Sequence, residues 1–216
     1  MTRLPSIVSF GVIVLAAGSS RRMGTPKQLL PFKGKSLLAR AVETALASGA
    51  TATVVVLGVG APRMREDISP YPVDVSVNER HEEGMAGSLA KGLERMMERN
   101  PEVDGVVIMV CDQPGVTGDH LENLVKEQRS SGTAIVSTGY GDTHGVPALF
   151  HRSLFAELLQ LKGDRGARSL IEAHAGQAGR IAFAEAAVDI DTPEAYQALT
   201  GAGAEASDFE SENEGA

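Results

Sequence analysis

Residues 11–27 read Gly-Val-Ile-Val-Leu-Ala-Ala-Gly-Ser-Ser-Arg-Arg-Met-Gly-Thr-Pro-Lys. The first five are apolar and mostly β-branched, without polar alternation, and this pattern predicts a strand covered on both faces. The residues after the strand are small as far as Ser20 and then include Arg21, Arg22 and Lys27. The stretch therefore predicts a buried strand followed by a cationic loop rich in small residues.

Two further apolar runs, 53–57 and 105–110, have the same character. Helical spacing of apolar residues predicts a helix over 36–48, between the first two strands. The other predicted elements are strands at 73–77, 134–137, 147–150 and 180–184, and helices at 85–98, 117–129, 153–159, 167–175 and after Thr192. Alternating strands and helices indicate a single α/β domain over 1–200 with a mainly parallel sheet. The strand at 147–150 is expected to pair antiparallel, because the turn-rich stretch 139–145 precedes it.

The composition restricts the class of protein. Hydrophobic residues make up 43% of the 216 and Trp is absent, which suits helices packed on aliphatic strands. Residues 201–216 contain five acidic and no basic residues, so we expect a solvated, disordered tail. The rest of the chain has 23 acidic against 20 basic residues, which disfavours nucleic acid as a partner. Cys111 is the only cysteine, and no apolar run suffices for a signal sequence or a membrane span, so we expect a cytoplasmic protein.

The loop after the first strand is suited to binding a polyphosphate. Small residues expose backbone amides, and Arg21, Arg22 and Lys27 add positive charge. Lys27 lacks the flanking residues of a P-loop, so a kinase or ATPase of that type is disfavoured. Gly58-Val-Gly60 resembles part of a dinucleotide signature, but Arg63 occupies the position of the third glycine. An ordinary surface loop is the alternative.

Acidic residues are also found where strands are expected to end. Asp112 lies two residues after the strand at 105–110, in Cys111-Asp-Gln-Pro114, and Asp191 belongs to Asp189-Ile-Asp-Thr-Pro193. In an open α/β sheet, ligands collect beyond the carboxyl ends of the strands. Asp112 and Asp191 together can bind one Mg²⁺ and leave positions for phosphate oxygens and water. The alternative for each acidic segment is that it forms a turn or caps the following helix.

Five motifs follow one another along the chain. They are Leu15-Ala-Ala-Gly-x-Ser-x-Arg-Met-Gly-x-x-Lys27, Cys111-Asp-Gln-Pro114, Gly145-Val-Pro-Ala-Leu-Phe150, Gly163-Asp-Arg-Gly-Ala-Arg168 and Asp189-Ile-Asp-Thr-Pro193. Together they resemble the MobA-like nucleotidyltransferases, specifically the molybdenum cofactor cytidylyltransferase branch. The resemblance implies a Rossmann-like three-layer sandwich of the nucleotide-diphospho-sugar transferase type, with a mixed, mainly parallel sheet. It also implies transfer of CMP from CTP to the phosphate of molybdopterin or the molybdenum cofactor, with Mg²⁺ and release of pyrophosphate.

The resemblance further implies roles for individual residues. The implied nucleotide-binding residues are Leu15, Ala16, Ala17, Gly18, Ser20, Arg22, Lys27, Gly84, Met85, Ser88 and Asp112. The implied acceptor-binding residues are His144, Gly145, Pro147, Gly163, Asp164, Gly166 and Arg168. Arg22, Lys27 and Asp112 are the implied catalytic groups, and Asp112 with Asp191 is the implied metal site. Ala17 favours CTP, because the guanylyl-transferring relatives carry Gly at that position.

Structural roles are the alternative for some of these residues. Gly84 to Ser88 could serve only to cap and pack a helix, and a lone His such as His144 is more often structural than ligand-binding. Cys111 follows a run of Val residues, which indicates a buried structural thiol and not a nucleophile.

Other functions also remain open. On the same fold, the acceptor could be a sugar phosphate, a lipid-linked or polyol phosphate, or phospholactate, and the donor could be GTP or ATP. A NAD(P)H-dependent oxidoreductase is a second class. A protein that delivers the cofactor to a client molybdenum enzyme is a third. Transfer itself needs no covalent intermediate and no general base, because a phosphate acceptor is already ionised near pH 7.

Overall fold

The computed structural model describes residues 3–20, 23, 25–164 and 166–201. The predicted phosphate contact Arg22 and the predicted acidic tail, from residue 202 onward, lie outside the described residues. Within the described ranges, no helix is both long enough and apolar enough to cross a membrane.

Strands and helices alternate along most of the described chain, as the sequence predicted. The strands are β1 (Phe10–Ala16), β2 (Pro31–Phe32), β3 (Lys35–Ser36), β4 (Ala52–Leu57), β5 (Asp74–Val77), β6 (Gly105–Val110), β7 (Ile135–Tyr140), β8 (Thr143–His151) and β9 (Gly179–Ala182). The α-helices are α1 (Leu37–Ala47), α2 (Ala61–Asp67), α3 (Met85–Arg99), α4 (Gly118–Ser131), α5 (Phe155–Leu159), α6 (Gly166–Ala173) and α7 (Pro193–Thr200).

Seven of these strands form one mixed sheet in the order β5-β4-β1-β6-β8-β7-β9. The strands β5, β4, β1 and β6 are parallel, and so are β7 and β9. Strand β8 is antiparallel to both of its neighbours, which confirms the predicted antiparallel pairing. The predicted mixed, mainly parallel sheet is therefore confirmed.

Helices cover both faces of the sheet, because successive residues of its central strands point to opposite sides. In β1, Val12 and Val14 pack in one core with residues of α1 and α4. Ile13 and Leu15 pack in the other core with residues of α3, α5 and α6. All four side chains are buried, so the apolar run at the start of the quoted stretch supplies both cores and fixes three layers.

Sequence reasoning missed the small β2–β3 hairpin and helix α2, and it predicted β8 too short. Residues 139–145 were expected to be a turn, but β7 runs to Tyr140 and β8 starts at Thr143, so the turn is only two residues long. Gly141 lies in this turn, whereas Gly139 and Gly145 belong to the strand pair. A Cβ on Gly139 would collide with Arg180, and one on Gly145 would lie 2.3 Å from the Tyr140 hydroxyl.

Candidate active site

Three charged side chains that are distant in sequence meet at the carboxyl end of the sheet. The Nζ of Lys27 lies 2.7 Å from Oδ1 of Asp191 and also contacts Oδ2 of Asp112. Asp112 lies two residues after the end of β6, Lys27 opens a 3-10 turn after β1, and Asp191 lies just before α7. The structure thus brings together Lys27, Asp112 and Asp191, which the sequence had assigned to phosphate and metal binding.

A backbone contact holds the two acidic segments side by side. The N–H of Ile190 donates to the carbonyl of Asp112 at 3.0 Å. The Ile190 side chain is fully buried in a small cluster with Phe32 and Leu37. The apolar residue between Asp189 and Asp191 therefore anchors the segment and aligns it with the end of β6.

The helix-capping alternatives for these acids do not hold. The side chain of Thr117 caps α4 by accepting from the N–H of His120, at 3.2 Å. Thr192 caps α7 in the same way, from the N–H of Ala195 at 3.2 Å, and Pro193 occupies the first helical position as predicted. Neither cap uses a carboxylate, so helix capping does not account for Asp112 or Asp191.

The electrostatics of the cluster keep Lys27 charged. Burial lowers the pKa of Lys27, but the attraction and hydrogen bonds of Asp112 and Asp191 outweigh it, and the net pKa is raised. The side chains of Lys27 and Asp112 are only 14% and 16% exposed, whereas that of Asp191 is 45% exposed. Desolvation and the nearby Asp112 raise the pKa of Asp189, a third carboxylate at this end of the cleft.

The residues present fit a divalent cation. A single positive nitrogen already contacts both carboxylates, so one cation can reach Asp112 and Asp191 together. Asp189 borders the same cleft and interacts electrostatically with Asp112 and Asp191. No group of three or more His, Cys, Asp and Glu ligands occurs in the described part of the chain. Mg²⁺ is usually bound by one or two carboxylates, with phosphate oxygens and waters at its other coordination positions, and Asp112 with Asp191 fits this pattern.

The cluster lies in a cleft of about 890 Å³, within the size range of small-molecule sites. The predicted site residues that border it are Leu15, Ala16, Ala17, Gly18, Lys27, Gly84, Met85, Ser88, Asp112, Gly145, Asp164, Arg168 and Asp191. The predicted residues that are described but do not border it are Ser20, His144, Pro147, Gly163 and Gly166. Most of the predicted nucleotide side therefore converges, whereas the predicted acceptor side does so only in part.

The start of α3 is fixed by the loop that precedes α6. The N–H of Ala86 donates to the carbonyl of Gly163 at 3.0 Å. Gly84 has a φ of 113°, and a Cβ there would lie 2.5 Å from the Gly163 backbone. The hydroxyl of Ser88 is bound by the Asn78 amide at 3.0 Å. Gly163 therefore supports the start of α3, where Gly84 and Met85 border the cleft, and does not border the cleft itself.

Three of the predicted acceptor-binding residues form hydrogen bonds or ion pairs with other residues of the protein. Arg168 pairs with Glu172 at 3.1 Å one turn along α6, and both border the cleft. His144 lies 3.4 Å from the Ser137 hydroxyl instead of at the cleft. The carbonyl of Pro147 accepts a hydrogen bond from Thr138 at 2.6 Å.

Two glycines and the cysteine have structural roles. A Cβ on Gly58 would lie 2.5 Å from the Ala17 carbonyl, and Gly60 has a φ of 76° at the start of α2. These packing and backbone needs explain the partial dinucleotide signature. Cys111 is buried, and burial raises the pKa of its thiol, as expected for a structural and unreactive residue.

Sequence reasoning did not assign several residues that border the cleft. They are Ser19, Gln28, His81, Glu82, Ile108, Val110, Cys111, Gln113, Tyr140, Val146, Ala167, Glu172 and Asp189. Gln28, Asp189 and Gln113 directly follow or lie within the quoted motifs, and this was the one signal available for them. Tyr140 carries no motif signal, and burial raises its pKa.

The fold and the cleft define a class, an α/β domain of the nucleotide-diphospho-sugar transferase type, and solved structures less than 25% identical to this chain share that fold. The family described as "MobA-like NTP transferase domain" matches residues 12–178, and the chain belongs to this family. Membership implies a nucleoside triphosphate as substrate.

The names of two similar proteins refer to different processes. The chain is 34% identical over 196 residues to the purine catabolism protein PucB of Bacillus subtilis (strain 168), covering 85% of this chain and 92% of that protein. It is 30% identical over 178 residues to nicotine blue oxidoreductase of Paenarthrobacter nicotinovorans, covering 77% and 82%.

The structure of Rv0371c from Mycobacterium tuberculosis H37Rv is also similar. It has a TM-score of 0.78 and 32% identity, and the match covers 93% of this chain and 99% of that one. A second structure of Rv0371c, with manganese, has a TM-score of 0.75 and 29% identity over 89% and 98%. A relative of this chain therefore forms a complex with a divalent metal.

Proposed function

We propose that this protein transfers CMP from CTP to the phosphate of molybdopterin or the molybdenum cofactor, with Mg²⁺ and release of pyrophosphate. The observation that carries the proposal is the contact of Lys27 with both Asp112 and Asp191 in the cleft. An ammonium and two carboxylates, beside the small-residue loop after β1, suit a triphosphate and its metal ion.

The reaction is a displacement at the α-phosphorus of CTP. A phosphate oxygen of the acceptor forms a bond to that phosphorus, and the bond to the bridging oxygen between the α- and β-phosphates breaks. The leaving pyrophosphate carries the electron pair of that bond. Bound by Asp112 and Asp191, Mg²⁺ would neutralise charge on the phosphates.

The protein's own residues position the reactants. Lys27 stays protonated, because its pKa is raised, and it can donate to a phosphate oxygen from its place between the carboxylates. Asp112 and Asp191 orient the ammonium from two sides. No side chain need remove a proton, because the attacking phosphate is already ionised near pH 7.

The choice of CTP and of a pterin acceptor is supported by the motifs. Ala17, where the guanylyl-transferring relatives have Gly, borders the cleft and favours CTP. Gly145, Asp164 and Arg168 also border the cleft and belong to the motifs that favour a molybdopterin acceptor. Arg168 supplies a cation for the acceptor's phosphate.

A NAD(P)H-dependent oxidoreductase is the second candidate function. The observation in its favour is the 30% identity to nicotine blue oxidoreductase over 77% of this chain. The glycines at 58 and 60 do not add to it, since packing and a positive φ explain them. The charged cluster of Lys27, Asp112 and Asp191 has no task in hydride transfer, and this favours nucleotidyl transfer.

Pyrophosphate release by the purified protein tests the proposal. CTP, GTP and ATP are supplied separately with Mg²⁺, each with metal-free molybdopterin, with molybdenum-loaded molybdopterin or with no acceptor. We expect pyrophosphate release only when both CTP and the pterin are present. Asp112→Asn should abolish this release. Release that occurs with GTP or ATP but not with CTP would show that the donor is that nucleotide. Tight binding of NADPH by the protein, without pyrophosphate release under any condition, would instead support the oxidoreductase.

A further inference from the structure

The side chain of Gln28 is buried in the centre of the loop that follows β1. It is only 1% exposed. Its amide nitrogen donates to the carbonyl of Ala16 at 2.9 Å and to that of Gly18 at 2.7 Å. Its amide oxygen accepts from the hydroxyl of Ser20 at 3.2 Å. Both hydrogens and the oxygen of this one amide are thus used to bind three alternate residues of the loop.

These contacts determine the direction in which the loop amides point. In a trans peptide group, the C=O and the following N–H point in opposite directions. The peptide groups after Ala16 and Gly18 are trans, and their carbonyls face Gln28. The N–H groups of Ala17 and Ser19 therefore point away from Gln28. Both Ala17 and Ser19 border the cleft.

Ser20 is held in an unusual backbone conformation by the same network. Its φ is 48°, in the left-handed region that residues other than glycine rarely adopt. Its hydroxyl donates to Gln28 and accepts from the backbone N–H of Lys27 at 3.0 Å. Ser20 does not border the cleft, so its hydroxyl links the loop to Lys27 instead of meeting a ligand.

We propose that Gln28 is a positioning residue that shapes the loop over 16–20 for the triphosphate, a role that rests on the proposed nucleotidyl transfer. Gln28 turns the amides of Ala17 and Ser19 toward the ligand. Through the Ser20 hydroxyl it also fixes the position of the Lys27 backbone N–H. Although Gln28 borders the cleft, its amide nitrogen and oxygen are already bound within the loop, so it acts through the backbone of these residues.

The test is nucleotide affinity after Gln28→Met, which preserves the length of the side chain and removes its hydrogen bonds. Binding of CTP, GTP and ATP with Mg²⁺ is measured by isothermal titration calorimetry. We expect the dissociation constant of the preferred nucleotide to rise about tenfold or more, since several hydrogen bonds that order the loop are lost.

Gln128 provides a matched control, because it is a second buried glutamine whose amide binds backbone. It is 0% exposed, accepts from the N–H of Ile7 at 3.0 Å and donates to the carbonyl of Pro5 at 3.1 Å. These contacts attach the N-terminal segment to α4 and do not border the cleft. Gln128→Met is expected to lower thermal stability as Gln28→Met does, but to bind the nucleotide like the wild type.

Hydrogen–deuterium exchange separates the positioning role from the proposed function. Faster exchange over 16–20 in Gln28→Met, but not in Gln128→Met, supports the positioning role even where the wild type binds no nucleotide, a result that would overturn only the proposed transfer. Unchanged affinity and unchanged exchange in Gln28→Met would overturn the positioning role. Where Gln28→Met does not fold, Ser20→Ala decides the question: a smaller rise in the dissociation constant supports the role, and wild-type affinity contradicts it.

Discussion

Replacing Lys27 by Met preserves the length of the side chain but removes the positive charge between Asp112 and Asp191. Both carboxylates contact Nζ, so their oxygens lie no more than about 5 Å apart. At ~5 Å and an effective dielectric constant of ~20, two like charges repel by ~3 kcal/mol. Because Asp191 is 45% exposed, solvent screening reduces this, and we expect Lys27→Met to lose about 1–2 kcal/mol of unfolding free energy.

Adding Mg²⁺ should reverse much of this loss. A divalent cation bound by the two carboxylates replaces the missing charge, so Mg²⁺ is expected to stabilise Lys27→Met more than the wild type. Urea unfolding at pH 7, with and without Mg²⁺, measures both effects. Lys126→Met is the control, because Lys126 pairs with Glu122 at 3.1 Å on the surface, where an ion pair contributes little. A Lys27→Met variant as stable as this control and insensitive to Mg²⁺ would refute the reasoning.

Three further predictions concern residues at the site and in the fold. Asp191→Asn should lower kcat/KM for pyrophosphate release about 10²–10³-fold, and activity within twofold of the wild type would remove Asp191 from the site. Burial lowers the pKa of His120 from 6.5 to about 4, so as the pH falls from 6.5 the unfolded chain takes up a proton that the folded chain does not. The free energy of unfolding should therefore fall by up to about 3 kcal/mol by pH 4, and urea unfolding of His120→Gln should lack that part of the fall. Gly58→Ala places a Cβ 2.5 Å from the Ala17 carbonyl and should cost about 1–3 kcal/mol of stability and weaken nucleotide binding, whereas Gly176→Ala, with open space around it, should do neither.

The central strands were predictable from the sequence because each carries its own signal. Strand β6 begins and ends where its apolar run does, and β1 is one residue longer at each end than the predicted strand at 11–15. Short apolar runs rich in β-branched residues are typical of strands in a sheet covered on both faces. The convergence of Asp112 and Lys27 followed from the same reasoning, since loops after adjacent parallel strands lie at the same edge.

Other parts of the fold depend on contacts that no local pattern reveals. The β2–β3 hairpin has only two residues in each strand, and its Phe32 is buried against Ile190, which lies far along the chain. Gln28 shows the same limit at the site. Its partners are backbone carbonyls and the Ser20 hydroxyl, and backbone groups occur at every position of a sequence, so spacing could not indicate them.

Prediction was also incomplete on the acceptor side of the cleft. His144 directly precedes one motif and Gly163 begins another, and residues next to both border the cleft. His144 and Gly163 themselves contact Ser137 and the start of α3. A motif marks a segment, and the backbone decides which of its side chains face the ligand. The molybdenum cofactor cytidylyltransferase branch and the identity of the acceptor therefore stay predictions.

The binding of Mn²⁺, followed by electron paramagnetic resonance, most directly tests the claim that Asp112 and Asp191 hold a metal for a nucleoside triphosphate beside Lys27. The account predicts that the wild type binds Mn²⁺ and binds it more tightly when CTP is present. The double variant Asp112→Asn with Asp191→Asn should lose both effects while it remains folded. A double variant that binds Mn²⁺ with CTP as tightly as the wild type would contradict the account.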